Sequence, residues 1–484
     1  MDVIELLNHI DGQWAEGGGA VLVDNNPAFP DQVVARGALA DESQLDRSVR
    51  AARNAAPGWA REPMHNRAAV LARAADLVDR SAEQWGAELT REEGKTLAEG
   101  IGEVRRAAQI LRYYAGAADR ETGAVYSSPR PGEQILVTRK PIGVVGIITP
   151  FNFPIAIPVW KIAPALVYGN AVVFKPASSV PVLAMRLTQA LHEAGLPPGV
   201  LNLVLADGHI AAALPEHPGI DAVSFTGSTA VGRRMAAAGA ARGIPVQAEM
   251  GGKNAAVVLA DADLGWAAEQ VMLGAFRSAG QKCTATSRLI VDDAVAGDFL
   301  SELTIRVKGL EVGDPMLGSV AVGPLVSQSS RAYVSQRVSD AVGQGASVIA
   351  TAEDHRSGSP DGHFVTPTVV QLPGATAALW SEELFGPVLS VLGAHGAEQA
   401  FALANSGDYG LSAAVFTADL GRALDAVDDL DVGVLHVNSE SAGADPHVPF
   451  GGAKRSGYGP KEQGEAAREF FTHTTTVYLR GGRA

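Results

Sequence analysis

The pattern of apolar and polar positions changes character twice along the chain. Up to about residue 123 it has a helical period. Across 46–59 and 64–92, apolar residues recur three and four positions apart, as in Val70, Leu71, Ala74, Leu77 and Val78, with arginine and aspartate between them. Residues 99–114 continue the pattern. The stretch 125–131 is polar and proline-containing, and 134–140 alternates as a strand does. Together, 124–140 predict a hairpin arm that leaves the globule. From Pro141 onward, short apolar runs at 143–148, 171–174, 200–205 and 222–225 enclose helical stretches such as 180–194 and 229–238. This alternation predicts a mostly parallel sheet covered on both faces. Ligands of such sheets bind beyond the carboxyl ends of the strands. A second unit of the same kind follows, with strands expected at 255–259, 288–291, 347–349, 388–391, 413–416 and 433–437. The glycine pair at 251–252 marks the boundary between the units. The β-branched, alternating tail 474–479 is expected to pair with the arm or with another subunit.

A length of 484 residues suggests about three domain-sized units. The predicted division is 1–123 with 141–250, then 251–440, then 124–140 with 465–484 as the arm. Lys and Arg number 39 against 53 Asp and Glu, a net charge of −14. No basic footprint favours nucleic acid. The longest apolar candidate, 143–160, is interrupted by Asn152 and by Pro150, Pro154 and Pro158, so no membrane span is expected. Asp2, Glu5 and Asp11 do not suit a signal peptide. The single cysteine, Cys283, forbids an internal disulfide. A cytoplasmic protein is the expectation.

Five segments could carry chemistry. Cys283 lies in a polar, loop-like stretch at 278–284, a better setting for a nucleophile than for a core thiol. The glycines of 227–232 follow a strand and open a helix, where free N–H groups favour a phosphate; an ordinary tight turn is the alternative. Lys175 emerges at a strand end beside Ser178. Asn152 stands between two aromatics and two prolines, and a buried amide there must be hydrogen-bonded. Glu249 precedes two glycines at a strand end, where an apolar setting would raise its pKa and suit a general base. No residue is assigned to a metal.

In this order and spacing, from the region of Asn25 to that of Phe450, these segments resemble the aldehyde dehydrogenase superfamily nearly end to end. The resemblance implies an α/β fold with a Rossmann-like NAD(P)-binding domain, a second α/β catalytic domain and a β-hairpin oligomerisation arm. It implies that Cys283 attacks the aldehyde and that Asn152, with the Cys283 backbone N–H, holds the oxyanion. Glu249 then activates water, and Lys161 stands behind the oxyanion site. Lys175 and Ser178 fall at the adenosine ribose, Gly227 and Ser228 at the pyrophosphate, and Glu383 and Phe385 at the nicotinamide. Thr149, Pro150, Phe151, Gly208 and Gly232 complete the cofactor set.

Members of the family that prefer NAD often carry Glu where this chain has Ser178, so NADP is expected to be accepted alongside NAD. Residues 280–288, 438–443 and 462–467 look like the branch that oxidises α-ketoglutarate semialdehyde (2,5-dioxopentanoate). Arg277 could anchor its distal carboxylate, with a structural ion pair as the alternative. Trp160 stands where succinate-semialdehyde enzymes carry an arginine. Phe151, Trp160 and Phe276 could instead line an apolar entrance, as in a broad-specificity enzyme for aliphatic or aromatic aldehydes. Transfer of the acyl group to coenzyme A and a catalytically silent oligomeric scaffold are further alternatives. A homodimer or homotetramer is expected.

Overall fold

The computed structural model describes residues 2–120, 123–353 and 361–482. Its first large sheet has eight strands in the spatial order Gly457–Tyr458, Val246–Glu249, Ala222–Thr226, Val144–Ile148, Ala171–Lys175, Leu201–Leu203, Asn8–Ile10 and Gln13–Ala15. The five strands between Val246 and Leu203 run parallel, and the outer strands are antiparallel. Val144, Val145, Ile147, Val172, Val173 and Phe174 are all fully buried. Both faces are covered by helices, which is why these strands read as continuous apolar runs rather than as alternation.

From Val144–Ile148 the chain winds outward one way through Ala171–Lys175 and Leu201–Leu203. It then returns to the other side through Ala222–Thr226 and Val246–Glu249. The strand order therefore reverses between Val144–Ile148 and Ala222–Thr226, and the crevice at their carboxyl ends is the natural ligand site.

The second sheet has seven strands, ordered Ser347–Thr351, Thr368–Gln371, Val388–Ala394, Thr286–Asp292, Asn254–Val258, Ser412–Phe416 and Val434–Val437. All its pairings are parallel except that of the first edge strand. The arm is a hairpin of Ala124–Ser127 and Glu133–Pro141, and Thr472–Arg480 adds to it antiparallel over nine paired positions. Of the two partners open to the tail, it takes the arm.

Three expectations need correction. Residues 465–471 are not arm. They belong to the helix Gly464–Phe471, whose Ala467, Phe470 and Phe471 are buried in the first unit's core. Apolar residues at spacings of three and four give it a core-facing stripe. The stretch before residue 42, read as helical, holds five short strands. At two to six residues each, they are too short for a periodicity window to detect. The long helix at 64–92 is two, Met64–Arg80 and Ala82–Glu93, broken at Ser81. Among the described residues no helix is long and apolar enough to cross a membrane.

Candidate active site

A cleft of about 890 Å³ opens at the predicted crevice. Thr149, Pro150, Phe151 and Asn152 enter it from the loop after Val144–Ile148. Lys175, the last residue of its strand, and Ser178 form another part of the wall. Gly208, Gly227 and Ser228 lie at helix starts on the same side. The second unit contributes Cys283, Glu383 and Phe385. Five expected residues do not line the cleft: Glu249, Lys161, Trp160, Gly232 and Arg277.

The cleft suits a dinucleotide. The helix Thr229–Arg242 begins at Ser228, whose side chain caps nothing, so the first N–H groups are free to meet an anion. A Cβ at Gly227 would lie 2.6 Å from the Phe225 ring. The hydroxyls of Thr149 and Thr226, both on the wall, are buried without a protein partner. Gly232 lies off the cleft and serves packing: a Cβ there would lie 2.6 Å from the Met250 sulfur.

The Cys283 loop is held under backbone strain. Ser278, Ala279 and Gly280 are consecutively left-handed, with φ of 54°, 52° and 70°. A Cβ at Gly280 would lie 2.4 Å from the Gly386 carbonyl oxygen, so glycine is required. Asn254 Nδ2 donates to the carbonyls of Cys283 (2.7 Å) and Ala285 (2.9 Å). Asn152 Nδ2 donates to the Gln281 carbonyl at 2.9 Å, two residues before the thiol. An amide nitrogen carries two protons, and this bond uses one. Phe151 and Phe385 meet edge to face at 5.7 Å across the cleft.

Charges shape the thiol's chemistry. Burial, with Glu383 and Glu249 nearby, pushes the Cys283 thiol up to about 12. Lys282, next in sequence, reaches Glu440 at 3.6 Å. In the resting protein the thiol is therefore neutral at pH 7. Below its pKa the thiolate fraction grows about tenfold per pH unit, and the thiolate is the nucleophile. Alkylation of Cys283 by iodoacetamide should accelerate to that extent per unit between pH 7 and 10. A plateau below pH 9 in the pseudo-first-order rate would contradict this.

Glu249 ends its strand fully buried, and its Oε2 accepts the Gly452 N–H at 3.0 Å. Burial and the Glu462 carboxylate push its pKa well above the usual range, against the pull of the Gly452 amide, Lys461 and Lys161. Lys461 Nζ donates to the carbonyls of Gly451 and Gly452. Glu462 in turn is held by Lys161 and by the Trp160 indole N–H at 2.6 Å, while Lys161 also donates to Ser224 Oγ at 2.9 Å. Lys161 and Trp160 thus converge on one carboxylate rather than on the cleft. Arg277 pairs with Glu440 at 3.2 Å and is half exposed.

A sequence model of the aldehyde dehydrogenase family matches residues 14–477. The chain belongs to the aldehyde dehydrogenase family. It is 42% identical over 478 residues to an α-ketoglutaric semialdehyde dehydrogenase of Bacillus subtilis, covering 98% of both chains. It is 37% identical to a vanillin dehydrogenase of Corynebacterium glutamicum over 475 residues, covering 97% of this chain and 96% of that one. The crystal structure of betaine aldehyde dehydrogenase from Staphylococcus aureus in complex with NAD+ superposes with a TM-score of 0.94 at 30% identity, covering 98% and 94% of the two chains.

Several residues of this aldehyde dehydrogenase's site escaped the sequence reading. Glu462 opens the stretch 462–467, and nothing local in the sequence marks its carboxylate as buried, yet it is only 2% exposed. Lys95, Glu99 and Glu103 carry charge on or beside one helix, yet Lys95 is only 3% exposed. The one local signal was the spacing Thr96 to Glu99, a capping box that starts the helix Leu97–Ala115.

Proposed function

We propose that the protein oxidises an aldehyde to its carboxylate with NAD or NADP, and that the aldehyde is α-ketoglutarate semialdehyde. The observation that carries the reaction is the meeting of the Cys283 thiol and the Asn152 amide in one cleft whose other walls suit a dinucleotide. In this reading, 1–123 with 141–250 bind the cofactor and 251–440 carry the thiol. The strands of 124–140 and the tail, with Val125, Tyr126, Tyr478 and Leu479 exposed, form the arm of a homodimer or homotetramer.

Bound NAD(P) supplies the hydride acceptor. The Cys283 thiol gives its proton to solvent water, and the sulfur adds to the aldehyde carbon. The former carbonyl oxygen takes the negative charge, and Asn152 Nδ2 and the Cys283 N–H donate to it. Loss of hydride from the same carbon leaves a thioester on Cys283. Glu249, turned toward Gly451 and Gly452 at rest, takes a proton from water as its oxygen attacks the thioester. The carboxylate leaves and the sulfur is regenerated. Ser178 places no carboxylate at the ribose position, and Lys175 beside it favours NADP.

Support for the semialdehyde comes from the 42% identical relative and from the resemblance carried by residues 280–288, 438–443 and 462–467 of this chain. The Arg277–Glu440 pair favours a second reading, a broad-specificity enzyme, because a substrate carboxylate would have to compete with Glu440 for the guanidinium. The test is a panel of initial rates with α-ketoglutarate semialdehyde, succinate semialdehyde and a neutral aliphatic aldehyde, each with NADP and NAD. The first substrate should lead in kcat/KM, and Arg277→Ala should lower its rate by about tenfold or more, relative to the neutral aldehyde. Equal losses for both would reduce Arg277 to an ion-pair role. A lead for the neutral aldehyde would establish the second reading.

A further inference from the structure

We propose that the buried Lys95–Glu103 ion pair is a positioning device for Asn152, fixing the loop that aims its carboxamide at the Cys283 segment. The proposal rests on the reading of Asn152 as the oxyanion donor. Lys95 follows Gly94, which ends the helix Ala82–Glu93 in the left-handed region (φ 98°). The Lys95 side chain is 1% exposed and that of Glu103 is 2%. Lys95 Nζ donates to Glu103 Oε2 at 2.5 Å and to the backbone carbonyl of Asn152 at 2.8 Å. It also stands 4.6 Å over the Phe153 ring. The other Glu103 oxygen accepts the N–H groups of Ile155 (3.0 Å) and Ala156 (3.1 Å).

These amides open the helix Ala156–Val167, whose N-cap residue, Ile155, makes no side-chain cap bond. One ion pair therefore grips both ends of the segment from Asn152 to Ala156. Between the grips, Pro154 restricts the backbone. The Asn152 carboxamide is left to donate to Gln281. The same helical turn also steadies the opposite side. Glu99 Oε1 accepts the Ser278 N–H at 2.8 Å, at the start of the left-handed run before Cys283.

Burial opposes the charge on Lys95, but Glu103 and Glu93 outweigh it and hold its pKa above that of an ordinary lysine. Such a pair is a poor source of stability, because desolvating two charges consumes most of their attraction. What it supplies is direction. Apart from an ion contact of Lys95 with Glu93 at 3.9 Å, the further contacts of the pair go to backbone of the Asn152 loop or to the Phe153 ring. A donor displaced by about 1 Å can forfeit up to about a hundredfold in rate.

The test is acylation of the full-length protein without cofactor. The Cys283 thiolate displaces p-nitrophenolate from p-nitrophenyl acetate and keeps the acetyl group on sulfur. The burst of p-nitrophenolate reports attack and oxyanion stabilisation alone. Lys95→Met, Asn152→Ala and the double variant are compared, with thermal melting and NAD affinity as controls. Lys95→Met should slow the burst by about tenfold to a hundredfold with NAD affinity unchanged. The double variant should be no slower than Asn152→Ala, because the lysine acts through the asparagine. A wild-type burst in Lys95→Met, or losses that multiply in the double variant, would overturn the proposal. A wild-type burst in Asn152→Ala would instead remove the oxyanion reading and the proposal with it. If Lys95→Met shows no cooperative melt, Glu103→Gln makes the same comparison, since it retains an acceptor for Ile155 and Ala156 but loses the charge.

Discussion

Replacing Cys283 with alanine is expected to abolish aldehyde oxidation, by at least about 10⁴-fold in kcat/KM, while NAD still binds and the melting temperature changes little. Cys283 is the chain's only cysteine, so no second thiol can replace it. Its loop is fixed independently of the sulfur, by the Asn254 bonds to the Cys283 and Ala285 carbonyls and by Gln281 Oε1, which accepts the Val326 N–H at 3.0 Å. Removing the sulfur leaves these bonds in place. The cleft walls at Gly227, Ser228 and Lys175 belong to other segments. Stopped-flow absorbance of the reduced cofactor, run beside NAD titration by fluorescence, checks the separation. Residual hydride transfer at a tenth of the wild-type rate or more would mean that the thiol is not the nucleophile. Loss of both activity and NAD binding would mean that the substitution had disturbed the fold. If the wild-type protein itself bound NAD but produced no reduced cofactor with any aldehyde tested, the silent-scaffold alternative would stand.

Glu249→Gln should separate the two halves of the reaction. A first turnover should proceed and yield one reduced cofactor per subunit. Steady turnover should then fall by about 10²–10⁴-fold, the range for loss of a positioned general base. The argument comes from the residue's surroundings. Burial and Glu462 keep the Glu249 carboxyl protonated well above the usual carboxylate range. Glutamine reproduces the size of this side chain and its acceptor for the Gly452 N–H. Stability should be nearly unchanged.

The pH dependence has a definite sign. A base works only when deprotonated, so a raised pKa moves the acid limb of wild-type kcat toward higher pH. Turnover rises as pH climbs through that raised value. In Glu249→Gln this limb should vanish. An unchanged limb would assign it to another group, and full steady turnover in the variant would place the hydrolytic base elsewhere.

Much of this was legible in the residues because it depends on local chemistry. Strands buried on both faces must be apolar throughout, so Val144–Ile148 and Ala171–Lys175 announce a helix-covered parallel sheet. The residues at their carboxyl ends, Asn152 and Lys175, could be placed at a crevice before any coordinates. A cysteine among Gly, Gln, Lys and Thr reads as exposed chemistry rather than core, and Cys283 does line the cleft. The glycines at 227 and 232 were less clear. Both glycines make room for a packed side chain, Phe225 at the first and Met250 at the second, and only their places in the fold show that Gly227 lines the cleft and Gly232 does not.

What the sequence determined by itself is the set of short-range features: periods of two and 3.6 residues, the turn glycines and the polar setting that makes Cys283 the candidate nucleophile. What only the tertiary structure decided is which distant polar groups meet. Lys95 meets Asn152 across 57 positions, Arg277 meets Glu440 across 163, and Lys161 meets Glu462 across 301. A lysine on a helix reads alike in sequence whether it faces water or a carboxylate. Its role is set by the desolvation and Coulomb energies that exist only once the two sheets have closed around it.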